Sequence, residues 1–125
     1  MVKSIWYVVV TSLIIIALAL TEYFTVKATF DRLEETFSQI ETKLEDESIT
    51  DKEILSAQDL WVKSKKTLHV FIPHNEIKEI DLWISESVYY ACDKDYKEAA
   101  AKIEVARELF EQIPKTFLIR VENIF

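Results

Sequence analysis

Two histidines and two carboxylates near the middle of the chain have side chains of the kind that bind metals. His69 and His74 flank Pro73, and Glu76 and Asp81 follow soon after. Imidazole and carboxylate groups bind zinc, but a zinc site needs three or four ligands that converge on one point. Because the spacing of these residues matches no metal motif, we predict no metal site and no cofactor. They are the positions where an alternative function, a ligand- or metal-sensing extracytoplasmic domain, would operate.

The sequence gives little support for catalysis. Cys92 is the only cysteine and has no histidine near it in sequence, so we expect it to be a small buried apolar residue. The chain has 22 acidic residues, which makes chance carboxylate pairs inevitable. It has no glycine, which excludes the Gly-rich loops that bind phosphates in nucleotide-dependent enzymes. We therefore predict a non-enzymatic protein, with a small hydrolase as the remaining alternative.

The charge of the chain excludes another class of partner. The formal net charge is −7, and the first 21 residues contribute only Lys3 to it. The rest of the chain is therefore acidic and repels nucleic acid. No nucleic-acid partner is predicted.

The region that must position these side chains begins after an uncharged apolar segment, Ser4 to Thr21. A helix of this length spans about 27 Å, close to the ~30 Å hydrocarbon layer of a bilayer. We predict a cytoplasmic tail at residues 1–4, a transmembrane signal anchor at 5–21 and an acidic helical extracytoplasmic domain at 22–125. The membrane, crossed once, is thus a predicted partner.

A cleaved secretory signal is the alternative to an anchor, since Ala17 and Ala19 fit the small-residue rule for signal peptidase. Cleavage there would fall inside the apolar segment, so we favour the anchor. For orientation, Lys3 and the terminal amine oppose Lys27 and Arg32. We expect the N-terminus in the cytoplasm and the C-terminal domain outside the cell membrane, or a secreted domain if the segment is cleaved.

A stripe of apolar residues follows the span and indicates that the first helix continues to about Glu45. We call it the juxtamembrane stripe; its residues are Tyr23, Val26, Phe30, Leu33, Phe37, Ile40 and Leu44. Their spacing of three and four is typical of a helix with one apolar face. The stripe could form a homodimeric coiled coil through Tyr23 to Leu44, or it could pack against later helices of the same chain. Its recurring aromatic residues favour the second interpretation, because a two-stranded coiled coil prefers Ile or Val there.

Local signals predict where the second helix begins and ends. Thr50 followed by Glu53 has the form of a capping box, which opens a helix. Pro73 pushes the preceding residue out of helical geometry, so the second helix should end near Ile72. A third helix should begin at His74 or the next residue.

The third helix is expected to end near Cys92, and Asp93 or Asp95 can cap a fourth helix that Pro114 closes. The eleven residues after Pro114 are too apolar for a free terminus, so they should fold back onto the bundle or contact a partner or the membrane. The predicted fold is all-α: an N-terminal transmembrane helix continuing into a small antiparallel bundle of about four helices.

Large aromatic residues are the candidates for contact with a partner, because aromatic side chains are enriched in interfaces. Trp83 and Tyr90 lie seven residues apart on one stripe of the third helix, and Phe117 and Phe125 lie in the apolar tail. These four residues are the predicted interaction positions.

A larger set of residues carries a resemblance to a known family. The set comprises Leu60, Trp61, Lys65, Lys66, Leu68, Phe71, Ile72, Pro73, His74, Glu76, Ile77, Ile80, Asp81, Asp95, Ala99, Ile113, Pro114, Glu122, Asn123 and Ile124. It resembles the small single-span proteins of clostridia and related spore-formers grouped as domain of unknown function four-three-six-three. The resemblance covers nearly the whole chain and implies a short, anchored, helical protein with no assigned activity. Family members tend to be encoded beside multi-span membrane proteins, which implies an accessory subunit of such a protein in the envelope.

Overall fold

The computed structural model describes the backbone of residues 1–124 and the side chains of residues 1–119. This part of the chain contains four α-helices and no strand, as the sequence predicts. The helices are α1 (Val2–Glu45), α2 (Asp51–Leu68), α3 (His74–Cys92) and α4 (Tyr96–Ile124). The predicted all-α helical bundle is confirmed.

The first helix has an exposed half and a packed half. Its N-terminal part is long and apolar enough to cross a membrane, and no part of that window is buried. Its second half carries the juxtamembrane stripe, of which every residue except the half-buried Tyr23 is buried. The stripe therefore packs inside the single chain, as the second interpretation of the sequence expected.

The four helices form a closed ring around one core. The first helix packs against α2 and α4, and α3 packs against the same two helices. The connections between consecutive helices are short, which makes neighbours antiparallel. The pairing of α1 with α4 shows this direction: Arg107 bonds to Glu34, while Pro114 and Leu118 lie beside Tyr23.

Phe110 lies where three of the four helices meet. The centroid of its ring is 6.1 Å from that of Phe30 and 5.4 Å from that of Phe37, both on α1. On the α2 side it is 6.2 Å from the ring of Trp61. All four aromatic side chains are almost fully buried.

The starts of α2 and α3 follow the predicted local signals, but the end of α2 does not. Thr50 and Glu53 form the predicted capping box at the start of α2. The third helix begins at His74, as predicted, whereas α2 ends at Leu68, four residues earlier than expected. A turn continues from there, in which the Ile72 amide donates to the carbonyl of Leu68 at 2.8 Å.

Two helices end in residues with left-handed backbone geometry. Glu47 follows α1 with a φ of 55°, and Lys94 follows α3 with a φ of 63°. After α1, the Ser48 amide donates to the carbonyl of Lys43 at 2.9 Å, which is the long bond of a Schellman motif. Glycine is usual at this position, but the chain contains none. Glu47 and Lys94 therefore adopt the conformation at a steric cost.

The prediction that Pro114 closes the fourth helix is wrong, because α4 runs through it to Ile124. Proline removes one backbone hydrogen bond, here to the carbonyl of Phe110. The apolar face nevertheless continues on both sides of it, since Ile113 and Phe117 are buried in the core. Packing of this face against the bundle maintains the helix across the missing bond.

We expect Glu47→Gly to be more stable than Glu47→Ala by about 1 kcal/mol, because only glycine removes the clash of Cβ in the left-handed region. Both substitutions remove the same charge, so the alanine variant is the matched control. Chemical denaturation of the full chain in detergent, followed by far-UV circular dichroism, measures the difference. Equal stabilities would contradict the steric cost.

We expect Phe110→Ala to lower the free energy of unfolding by about 3–5 kcal/mol, because it leaves a cavity among the rings of α1 and α2. The same denaturation experiment measures it. Phe24→Ala removes an identical but exposed side chain, and its effect should stay within about 0.5 kcal/mol. Similar losses in the two variants would show that Phe110 is not central to the core.

Candidate functional site

The two histidines lie together at the turn between α2 and α3. Their rings are stacked with centroids 5.6 Å apart, and both residues are exposed. Glu76 lies in the first turn of α3, as the sequence predicts. Within the described residues, no group of three or more His, Cys, Asp or Glu side chains could hold a metal ion. The histidine pair alone falls short of the three or four ligands of a zinc site.

Asp81 joins α3 to α2. One of its carboxylate oxygens accepts a hydrogen bond from Nε1 of Trp61 at 2.5 Å. The Lys65 ammonium donates to both carboxylate oxygens, at 2.9 and 3.1 Å. Trp61 is almost fully buried, so its indole N–H cannot bond to water, and Asp81 supplies the hydrogen-bond acceptor instead. These contacts give Asp81 a structural role.

Arg107 makes the corresponding connection between α4 and α1. Its guanidinium donates twice to Glu34, at 2.7 and 3.0 Å, and once to Glu41 at 2.5 Å. The hydrogen bonds to Glu34 and then to Glu41 raise the pKa of Arg107 above its usual value. Arg107 therefore stays charged at neutral pH. The two glutamates lie two turns apart on α1, so this cluster sets the register of the helices.

The prediction that Cys92 is buried is wrong, because its side chain is exposed at the end of α3. The neighbouring residue Ala91 takes the buried position. Partial desolvation, followed by the charge of Asp51, raises the pKa of the Cys92 thiol. At neutral pH the thiol is therefore protonated, which makes it a poor nucleophile.

The structure places the predicted interaction residues mainly against the core. Trp83 and Tyr90 are half-buried, and Phe117 is buried. Lys102 lies over the ring of Trp83, with its ammonium 5.1 Å from the centroid. Phe125 lies outside the described residues. Their role in binding a partner stays a prediction.

Sequence reasoning missed a different apolar surface, which we call the α2–α3 face. It consists of four exposed side chains: Leu55 and Val62 on α2, and Leu82 and Tyr89 on α3. On each helix the two residues are seven positions apart and therefore lie on the same side. The sequence signal that could have identified this face is the seven-residue spacing of its apolar residues. On α3 that pair, Leu82 and Tyr89, lies one residue before the predicted pair Trp83 and Tyr90.

Two side chains of the α2–α3 face border a groove between the two helices. Val62 and Leu82 line an open groove of about 710 Å³, together with Trp61 and Asp81. Because α2 and α3 are antiparallel, Leu55 and Tyr89 both lie two turns farther from the connecting turn than Val62 and Leu82 do. Val62 and Leu82 are thus the part of the α2–α3 face that lines the groove, whereas Leu55 and Tyr89 do not line it.

Comparisons with known proteins give one match. A family model described as a domain of unknown function (DUF4363) matches residues 20–124. No curated protein and no solved structure shows significant similarity to the chain. The match begins at the C-terminal end of the apolar segment and covers the whole packed part of the chain.

We expect Asp81→Ala to lower the free energy of unfolding by about 1–3 kcal/mol, because the buried indole N–H of Trp61 loses its acceptor. Asp81→Asn keeps an acceptor oxygen and should lose less. Asp59→Ala is the control, since it breaks an exposed ion pair with Lys63 and should change stability by less than about 1 kcal/mol. Thermal denaturation of the full chain measures all three.

The same variants test whether Asp81 binds metal instead. If its role is structural, added zinc will change the melting temperature of the Asp81→Ala variant no differently from that of the original protein. A zinc-dependent stabilisation that disappears in Asp81→Ala would contradict the structural role.

Proposed function

Since the chain belongs to the DUF4363 family of unknown function, as its sequence resemblance predicted, we propose that it is a membrane-anchored, non-enzymatic helical module. In this proposal it is an accessory protein-interaction subunit of a multi-span envelope membrane protein. The observation that carries the proposal is the α2–α3 face, an exposed apolar surface on a bundle whose other apolar stripes are buried. Assignment to spore-formers stays a prediction.

The membrane anchor is the first part of the proposal. One helix within residues 1–124 is long and apolar enough to span a bilayer, and its apolar part makes no contact that would bury it in the bundle. A signal sequence has the same properties, so the proposal includes the claim that the segment is retained. In the proposed topology, residues 1–4 lie in the cytoplasm, 5–21 in the bilayer and 22–125 outside the cell.

The α2–α3 face fits the apolar side of a partner helix. Residues spaced by seven on two neighbouring antiparallel helices form a straight strip, and a third helix can lie in the groove between them. Exposed apolar side chains rimmed by polar residues, as Val62 and Leu82 are on the groove, are a recognised mark of an interaction site. The four residues of the face are therefore the proposed contact surface, next to the half-buried Trp83 and Tyr90.

A different protein is favoured over a second copy bound through the juxtamembrane stripe. The stripe already packs against α2 and α4, and Phe30 and Phe37 contact Phe110. A homodimer through Tyr23 to Leu44 would have to displace α4 and expose these rings to water. The α2–α3 face needs no such rearrangement.

A non-enzymatic role agrees with the bonding of the polar side chains. Asp81 and Arg107 are engaged in contacts that join helices, and the thiol of Cys92 has a raised pKa. The groove beside the α2–α3 face is open to solvent, and apolar Trp61, Val62 and Leu82 line it together with polar and charged side chains. An open surface of this kind suits a protein contact better than a reaction, which needs a site that excludes water.

The test is site-specific photo-crosslinking of the full chain in native membranes. A benzophenone amino acid at Leu82 or Tyr89 should yield one adduct with a membrane protein, because these side chains point into the proposed contact. The same amino acid at Glu104, which is exposed on α4, is the control and should yield none. Leu82→Asp should reduce copurification of the partner at least about tenfold.

Several outcomes would contradict the proposal. An adduct with a second copy would indicate a homo-oligomer. An equal yield of adduct from the Glu104 position would show that the α2–α3 face is not the contact surface. The intact mass of the membrane-extracted protein tests the anchor separately. A mass that corresponds to a chain starting near Leu20 would establish cleavage.

A further inference from the structure

We propose that the end of the bundle nearest the span rests in the interfacial layer of the lipid bilayer, with the last turns of α4 entering that layer beside α1. The occupant of this surface is lipid. Three exposed apolar side chains from three parts of the fold make the contact: Phe24 on α1, Val70 in the α2–α3 turn and Ile119 on α4. The inference rests on the proposed membrane anchor.

The antiparallel register of α1 and α4 brings α4 to the bilayer. Pro114 and Leu118 line the same small cavity as Tyr23 and Lys27 of α1. The helix continues from Leu118 to Ile124, which adds about 9 Å in the direction of the span. Its end therefore reaches the level of the outer turns of the apolar segment.

The composition of these turns suits an interface between lipid and water. Ile119 is exposed over 56% of its surface. By sequence, apolar Val121 and Ile124 then alternate with Arg120 and Glu122. A helix that mixes apolar residues with charges lies at the level of the lipid headgroups, where the charges keep contact with water.

The turn between α2 and α3 lies at the same end of the bundle. The ion pair of Lys43 with Glu53 aligns α1 with α2 at the far end. Leu68 lies fifteen residues farther along α2, about 22 Å closer to the span. Val70 lies two residues later and is 76% exposed, while Phe24 on α1 is 60% exposed. Both exposed side chains thus lie at the end of the bundle next to the predicted bilayer surface.

The opposite end of the bundle is chemically different. Its two loops expose acidic and other polar residues, namely Asp46, Glu47, Ser48, Thr50, Asp93, Lys94 and Asp95. The only apolar residue of these loops, Ile49, is buried. The loops at the two ends thus differ: the α2–α3 turn next to the apolar segment exposes Val70, whereas the loops at the far end expose no apolar side chain, although Leu55 and Tyr89 are exposed on the helices toward that end. A bundle held at a bilayer accounts for this difference, because only one end meets lipid.

Depth measurements on the full chain test the inference. The background is Cys92→Ser, and single cysteines are introduced as Ile119→Cys or Val70→Cys and labelled with a nitrobenzoxadiazole dye. Leu82→Cys and Glu47→Cys are the controls, one on the side of the bundle and one at its far end. Each protein is reconstituted in vesicles of phosphatidylcholine and phosphatidylglycerol. Quenching by lipids brominated at shallow acyl positions then reports contact with the bilayer.

We expect several-fold stronger lipid quenching and blue-shifted emission at positions 119 and 70 than at 82 and 47. Quenching at 119 and 70 equal to that of the controls would overturn the inference. Vesicle flotation separates this failure from that of the anchor: a chain that does not float with vesicles contradicts the proposed anchor, whereas one that floats without quenching at 119 and 70 contradicts only the lipid contact.

Discussion

The packing of α4 along the second half of α1 is the constraint on which the rest of the structure depends. Phe110 contacts two rings of α1 and one of α2. One turn earlier, Arg107 bonds to Glu34 and Glu41, so shape and charge specify the same register. Because α4 also packs against α3, this register places the α2–α3 face and brings the end of α4 beside the apolar segment of α1.

Features specified by neighbouring residues could be predicted from the sequence. The capping box of Thr50 and Glu53, the restart of the chain after Pro73 and the end of the first helix near Glu45 all depend on a few adjacent side chains. The effect of Pro114 could not be predicted in this way, because α4 continues only where its apolar face meets a distant part of the chain. Cys92 was misjudged for a related reason: its neighbour Ala91 fills the buried position.

The candidate surface was harder to predict than the fold. One residue along a helix rotates a side chain by about 100°, so Trp83 and Leu82 point in different directions. Only the positions of α2 and α4 decide which of them is covered. Likewise, the pairing of Asp81 with Trp61 and Lys65 depends on the register of two helices, which periodicity within either helix does not specify.

The continuity of α1 has a mechanical consequence. Its 44 residues form one helix about 66 Å long, with no proline or glycine between the apolar segment and the core. If the apolar segment lies in a bilayer as proposed, a twist or tilt imposed on it passes along this one helix to Phe30 and Phe37. A neighbouring membrane helix then alters the strain within the bundle without touching it.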